Sequence, residues 1–267
     1  MGCSRVPDCI VETVDGVRLV RFNRPERLNA IGGNLLAELK EAFDSGRDDD
    51  RVRAFVVTGE GRAWCAGADL AGDGPAAPNP NSRATKMDDI GEFGRTVLSI
   101  YHSNKPAIAA VNGVTVGGGF GFCSAMDIRI ASENARFSTV FIRRALAPDC
   151  GLSWFLPRLI GPERAAEMFF TGRMVLADEA LSLGIVSKVV PPEQLMDAAM
   201  GLARDLAKQP PTALALTRKA LVHSVSATIE DQLEYEWTNQ RVALSSAEFG
   251  EGVAAFREKR DADFSRF

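Results

Sequence analysis

Ile10 to Asn23, IVETVDGVRLVRFN, alternates apolar and polar positions on both sides of Asp15-Gly16, which is the pattern of a β-hairpin with a two-residue turn. A turn, NRPERLNA, follows, and then a helical periodicity runs from Leu35 to Phe43, LLAELKEAF. RAFVVTG (Arg53–Gly59), PAIAAVNG (Pro106–Gly113) and DIRIAS (Asp127–Ser132) are short apolar runs that end at glycine or serine and predict strands. Between Asp73 and Asp88 the text turns to Pro, Asn, Ser and Ala, and predicts a surface loop inside the domain. From Pro162 onward nearly every window has helical spacing, from ERAAEMFFTG to IEDQLEYEWTNQRVALSS. Strands alternating with helices and then a helical tail predict an α/β core with an all-α extension. The expected division is a core over 1–195 and a helical region over 196–267.

Composition removes whole classes of function. With 267 residues and 46% hydrophobic content the chain can bury a full core. Its net charge of −4 argues against a nucleic-acid partner or an anionic membrane surface. No apolar run approaches the ~18 residues of a membrane span. MGCSRVPDC has no signal-peptide h-region, Val6 stands where a myristoylation motif wants Ser or Thr, and DFSRF is not a peroxisomal address. Five dispersed cysteines fit a reducing compartment, so a cytoplasmic location is expected. Neither of the two histidines has a partner at ligand spacing, and no metal is expected.

The chemistry concentrates around VGGGFG. It lacks the third glycine of a dinucleotide fingerprint, since Phe122 stands there, and it lacks the lysine of a P-loop. Close helix–strand packing is the plain reading. A second glycine-bearing turn, GRAWCAGADL, follows another strand, so the two turns together can offer one backbone N–H each to a single oxygen.

In sequence order, NRPERLNAI, CAGADL, KPAIAAVNGVTVGGGFGFCSAMDIRIAS, FTGRMVLADEALSLGIVSKVV and AAFREKRDADF resemble the motifs of the crotonase superfamily, the enoyl-CoA hydratase/isomerase family. The resemblance spans nearly the whole chain. It implies a spiral of ββα turns with a C-terminal helical trimerisation region, assembled as trimers that often pair into hexamers. It also implies an acyl-coenzyme A thioester substrate and no further cofactor. The N–H groups of Ala68 and Gly118 would form the oxyanion hole. Ala66, Asp69, Leu70, Phe141 and Trp154 would line the substrate, and Arg27 and Lys259, the latter from a neighbouring subunit, would meet the coenzyme A phosphates.

Family hydratases carry two glutamates, and an ungapped alignment puts Gly121 and Phe141 at those positions. Neither carries a proton, so hydration is disfavoured. Asp149, in RRALAPDCGLSWFLP, stands where family isomerases often hold an acid. One carboxylate suffices to move a proton from C2 to C4 of a 3-enoyl thioester, and the apolar text around Asp149 predicts a raised pKa. As alternatives, Asp149 caps a helix, or Arg143 or Arg144 pairs with it; Asp69 holds its own turn; Cys65, Cys123 and Cys150 are core thiols. The expected activity is a 3-enoyl to 2-enoyl isomerisation, with a hydratase or a weakly catalytic acyl-CoA-binding protein as the alternatives.

Overall fold

A computed structural model describes residues 6–72, 74, 79 and 81–267. Two sheets stand side by side, and the chain visits them in alternation. The six-stranded sheet contains β1 (Cys9–Val14), β2 (Val17–Phe22), β3 (Ala54–Gly59), β5 (Ala107–Val111), β7 (Ile128–Ser132) and β10 (Lys188–Val190), in that spatial order. The four-stranded sheet contains β4 (Ala63–Cys65), β6 (Val114–Val116), β8 (Arg136–Ser138) and β9 (Val175–Leu176). Neighbours pair in parallel, except the β1–β2 hairpin and the β8–β9 edge. From β3 to β8 each turn of the chain adds a strand to one sheet and then one to the other, which makes a spiral of ββα units.

The hairpin turn is as predicted: Asp15 and Gly16 both have positive φ, 53° and 77°. Helix α1 spans Leu35–Asp48, longer than its periodic core suggests. A short α2 (Arg83–Lys86), capped by Ser82, leads to α3 (Gly91–Tyr101); the expected 73–88 loop lies partly outside the described residues. α4 (Gly118–Ser124) begins at the glycines, and α5 (Leu152–Ile160), α6 (Pro162–Thr171) and α7 (Ala177–Leu183) follow. The text after Pro162 therefore hides two strands, β9 and β10. Their two and three residues are too few for a periodic signal, and sheet edges built earlier in the chain recruit them.

Both faces of the six-stranded sheet are covered, which is why β3 and β5 read as continuous apolar runs. One face carries the main core, where Phe22 meets Trp64 edge-on at 5.0 Å and Phe43 stacks on Phe55 at 4.5 Å. Trp64 donates its indole N–H to the Val57 carbonyl, so its burial leaves no orphan donor. On the other face Val56, Ile108 and Ile130 meet Leu195, Ala199 and Ala203 of α8 (Leu195–Ala207). α8 thus lies on the sheet, although it stands beyond the expected core limit at residue 195.

The remaining helices, α9 (Pro211–Ser224), α10 (Ile229–Leu244) and α11 (Ala247–Glu258), form the expected helical region. Arg218 ties α9 to the core: it pairs with Asp127 at 2.9 Å and donates to the Tyr101 carbonyl at 2.8 Å. α10 buries none of its residues, and Ile229, Leu233 and Trp237 are each more than half exposed. No helix among the described residues is long and apolar enough to cross a membrane.

Candidate active site

The two glycine-bearing turns meet. Gly67 follows β4 and Gly117 follows β6, its parallel neighbour, so the two strands deliver both turns to the same end of the small sheet. A Cβ on Gly67 would lie 2.9 Å from the Val116 carbonyl and 3.6 Å from the Gly118 nitrogen. Gly67 has φ +77° and Gly117 has φ 55° with ψ −127°, conformations that a side chain would strain. The other two glycines of the triplet answer to crowding. A Cβ on Gly119 would stand 2.4 Å from the Cys65 carbonyl, and one on Gly118 would stand 3.0 Å from Cys150 Sγ.

Ala68 is held by a parallel bridge to Ile31. Ile31 donates to the Gly67 carbonyl at 2.7 Å, and the Asp69 amide donates back to the Ile31 carbonyl at 3.0 Å. In such a bridge the central residue's own N–H points the other way. The N–H of Ala68 has no acceptor among the described residues. Gly118 is the first residue of α4, where helix geometry provides no acceptor, and its N–H is likewise unbonded among them. Two preorganised donors thus stand at touching turns, an arrangement suited to an oxygen that gains negative charge. Phe93 of α3 and Ile31 close the space over Gly118.

Of the two positions where the resemblance places the hydratase acids, Gly121 has no room for one. A Cβ on Gly121 would fall 2.4 Å from Cys150 Cβ and 2.7 Å from the Cys150 carbonyl. Phe141 is buried in a short 3-10 turn, next to Val140, which approaches Gly117. Asp149 immediately precedes Cys150. It caps no helix, because Gly151 is the N-cap of α5 and no side chain serves there. Arg143 and Arg144 donate to the carbonyls of Thr171 and Arg143 and do not engage Asp149. Burial raises the Asp149 pKa from its ordinary value. Asp149 is nevertheless exposed, so water tempers that shift.

Asp69 stabilises its turn. It is buried, pairs with buried Arg24 at 3.4 Å and accepts the Ala71 amide at 3.2 Å. Ala66 donates to the Leu28 carbonyl, and Leu70 is 69% exposed beside it. Arg27 is exposed on the 3-10 turn that follows β2. Trp154 is not brought to the amides by any contact. It packs edge-on against Tyr101 and Phe155, with the Arg158 guanidinium over its ring at 4.1 Å. Lys259 is exposed in the left-handed cap of α11, within the helical region. Cys65 and Cys123 are buried thiols pushed up to about 12 by burial, as core cysteines should be. Cys150 is buried too, but it touches the site, which its apolar sequence context gave no means of seeing.

The enoyl-CoA hydratase/isomerase family model matches residues 12–266. The chain belongs to the enoyl-CoA hydratase/isomerase family. It is 38% identical over 250 residues to a 1,2-epoxyphenylacetyl-CoA isomerase of Escherichia coli, covering 94% of this chain and 95% of that one. It is 32% identical over 257 residues to a crotonyl-CoA hydratase of Syntrophomonas wolfei, with 96% of each covered. Among solved structures, an enoyl-CoA hydratase from Bacillus anthracis superposes with a TM-score of 0.89 at 30% identity, covering 97% of this chain and 99% of that one. Family membership makes the protein an acyl-CoA enzyme with the crotonase fold; relatives named isomerase and hydratase both appear, so the reaction must be argued from the site.

Proposed function

We propose that this protein isomerises an acyl-CoA thioester, moving a C=C bond from the 3,4 to the 2,3 position, with Asp149 as base and the amides of Ala68 and Gly118 as oxyanion hole. One observation carries the reading. Both positions that hold acids in the hydratases are filled by apolar bulk, Cys150 against Gly121 and Phe141 itself, while Asp149 sits one residue from the thiol that touches Gly118. Hydration needs one group to orient water and another to manage the proton; a 1,3-shift needs a single base.

The Asp149 carboxylate takes the C2 proton of a 3-enoyl-CoA. The C–H electron pair becomes the C1–C2 π bond and the carbonyl π pair moves onto oxygen, where the two amides stabilise the charge by roughly 3 kcal/mol each. The protonated Asp149 then delivers the proton to C4. The oxyanion pair returns to the carbonyl, the 3,4 π pair forms the new C4–H bond, and the C1–C2 pair becomes the 2,3 double bond. A raised pKa suits this double duty, because the acid formed in the first step must give its proton back in the second.

A second reading, isomerisation of a ring-derived acyl-CoA, is favoured by the similarity to the Escherichia coli 1,2-epoxyphenylacetyl-CoA isomerase. Assembly as a trimer or dimer of trimers through α9–α11 is part of the proposal, supported by the apolar residues those helices leave exposed.

The test is absorbance of the conjugated thioester formed from a 3-enoyl-CoA, for the native chain and Asp149→Asn, with 2-enoyl-CoA hydration and a phenylacetyl-derived thioester run alongside. Isomerisation that falls by about 10²-fold or more in the variant supports the base. Hydration that survives the substitution moves the assignment to a hydratase. Tight coenzyme A binding without turnover of any of these thioesters moves it to a binding protein.

A further inference from the structure

Arg62 and Arg136 differ from arginines such as Arg21, Arg95 and Arg173, which pair with carboxylates. Among the described residues neither of their guanidiniums has a hydrogen bond or an ion pair. The small sheet brings them together. Arg62 immediately precedes β4 and Arg136 opens β8, with β6 between them: Val114 pairs with Ala63 on one side and with Arg136 on the other. Two strand spacings put these backbones about 10 Å apart. Both side chains line one cleft of about 790 Å³.

The rim of the cleft is held by hydrogen bonds. Asn112 donates to the carbonyls of Gly59, Gly61 and Ala63, which fixes the chain on both sides of Arg62. The Ser132 hydroxyl donates to the Asn112 carbonyl at 3.2 Å and accepts the Asn134 amide at 3.2 Å, which fixes the loop before Arg136. The Asn134 side chain also lines the cleft and has no partner among the described residues. No acidic residue is among those lining it. Of the acids close by in sequence, Glu60 is paired with Arg21 at 3.0 Å, and Glu26, Glu133 and Glu193 make no ion pair with either arginine. A chain of net charge −4 thus keeps two unneutralised cations in one hollow, where their mutual repulsion is relieved by an anion.

We infer that this cleft is a phosphate-binding site, with Arg62 and Arg136 as its charged pair and Asn134 as a neutral donor. A guanidinium presents its donors in a planar fork that takes two phosphate oxygens at once. Two such forks match a phosphate monoester, whose charge is roughly −2 near neutral pH. The cleft stands at the end of β4 and β6 opposite the Gly67 and Gly117 turns, and the stretch from Arg62 to Gly67 spans at most roughly 18 Å. Leu28 joins the two places: it lines the cleft, and its carbonyl accepts the Ala66 amide. The phosphate therefore has two sources, the coenzyme tail of a thioester bound at those turns or a free phosphorylated molecule. The inference does not rest on Asp149 or on isomerisation.

The test is calorimetric titration of the full chain with inorganic phosphate, coenzyme A and 3′-dephospho-coenzyme A. The native chain is compared with the double variants Arg62→Ala/Arg136→Ala and Arg62→Lys/Arg136→Lys. Neither side chain holds any part of the fold, and circular dichroism of the variants should match the native chain. The alanine pair should weaken phosphate binding by about tenfold or more, and the lysine pair should recover only part of it, because an ammonium lacks the fork. A matching loss of coenzyme A affinity names the coenzyme as the source, and a smaller loss for the dephospho form singles out its 3′-phosphate. Coenzyme A affinity that stays native while phosphate binding is lost names a free phosphorylated ligand. If the alanine pair weakens neither phosphate nor coenzyme A, the site is overturned. A lysine pair equal to the native chain also overturns it, since general attraction to positive charge would then explain the binding. Binding is read without turnover, so failure of the isomerase reading leaves this test intact.

Discussion

Gly67 and Gly118 approach so closely that a Cβ on the first would lie 3.6 Å from the backbone nitrogen of the second. The same Cβ would press on the Val116 carbonyl at 2.9 Å, and at φ +77° it would be strained before any contact. Gly67→Ala should therefore push the two amides apart. We expect kcat/KM to fall by about 10²-fold, the scale of losing one oxyanion donor. Steady-state kinetics should place most of the loss in kcat, since the interaction strengthens only as charge develops on oxygen.

The pH dependence follows from Asp149. The base acts as a carboxylate, and desolvation raises its pKa. Activity should be full above that raised pKa and fall as pH drops through it, at a higher pH than an unperturbed aspartate near ~3.9 would give. For stability the sign is reversed. A carboxyl whose folded pKa exceeds its unfolded one makes ionisation costly to the fold, and the cost is absent below the unfolded pKa and complete above the folded one. Asp149→Asn should thus raise the melting temperature at pH 7, lose that advantage below about pH 4, and remain inactive. Calorimetry at the two pH values checks it.

Asp69 and Arg24 form a buried pair beneath the turn that carries Ala68, their side chains 5% and 7% exposed. Asp69→Ala leaves the guanidinium with the Ala30 carbonyl at 2.8 Å and the Asp8 carboxylate at 3.8 Å, and removes the acceptor for the Ala71 amide. Breaking a buried pair by removing one partner is costly, and the loss should be about 2–3 kcal/mol in urea unfolding. Asp69→Asn, which keeps the amide acceptor, should cost less.

Gly121→Glu restores the residue type that hydratases carry and should still not create a hydratase. The new side chain meets the Cys150 backbone and Cβ, neither of which is the far end of a flexible chain. Overpacking of this kind costs roughly 1–3 kcal/mol. Displacing the 149–151 turn should also remove isomerisation. Hydration of a 2-enoyl-CoA by this variant above the native level would contradict the assigned fit.

The hairpin was legible because its determinants are local: Asp15-Gly16 sets the turn and the alternation sets the faces. The small sheet was not, because β4, β6 and β8 have three residues each and exist only through pairing with strands some twenty to fifty residues away. The site divides along the same line. Gly67 and Gly117–Gly119 announced close backbone approach by composition, and the family resemblance supplied their purpose. That Cys150 fills the space at Gly121 is a contact across 29 positions, and a lone cysteine in apolar text gives no sign of it. Trp154 shows the converse limit: helix periodicity says that it faces something apolar, and only the folded chain reveals Tyr101 and Phe155 as its neighbours.

Ile229, Leu233 and Trp237 recur every four residues along α10 and so make one stripe, and they are 65%, 58% and 60% exposed. Leu221 of α9, at 67%, adds to the apolar surface that these helices leave in solvent. Exposed apolar surface of that kind suits an interface, and under the proposed trimer a further copy of this chain covers it. Leu233→Glu with Trp237→Glu should convert the native assembly to a smaller species in light scattering, without loss of helical content, because neither side chain supports the monomer's core. If Lys259 of a neighbouring copy meets the coenzyme A phosphates, the same pair of substitutions should raise KM for the thioester more than it lowers kcat. A native chain that runs as a monomer at micromolar concentration would overturn the assembly and, with it, the role given to Lys259.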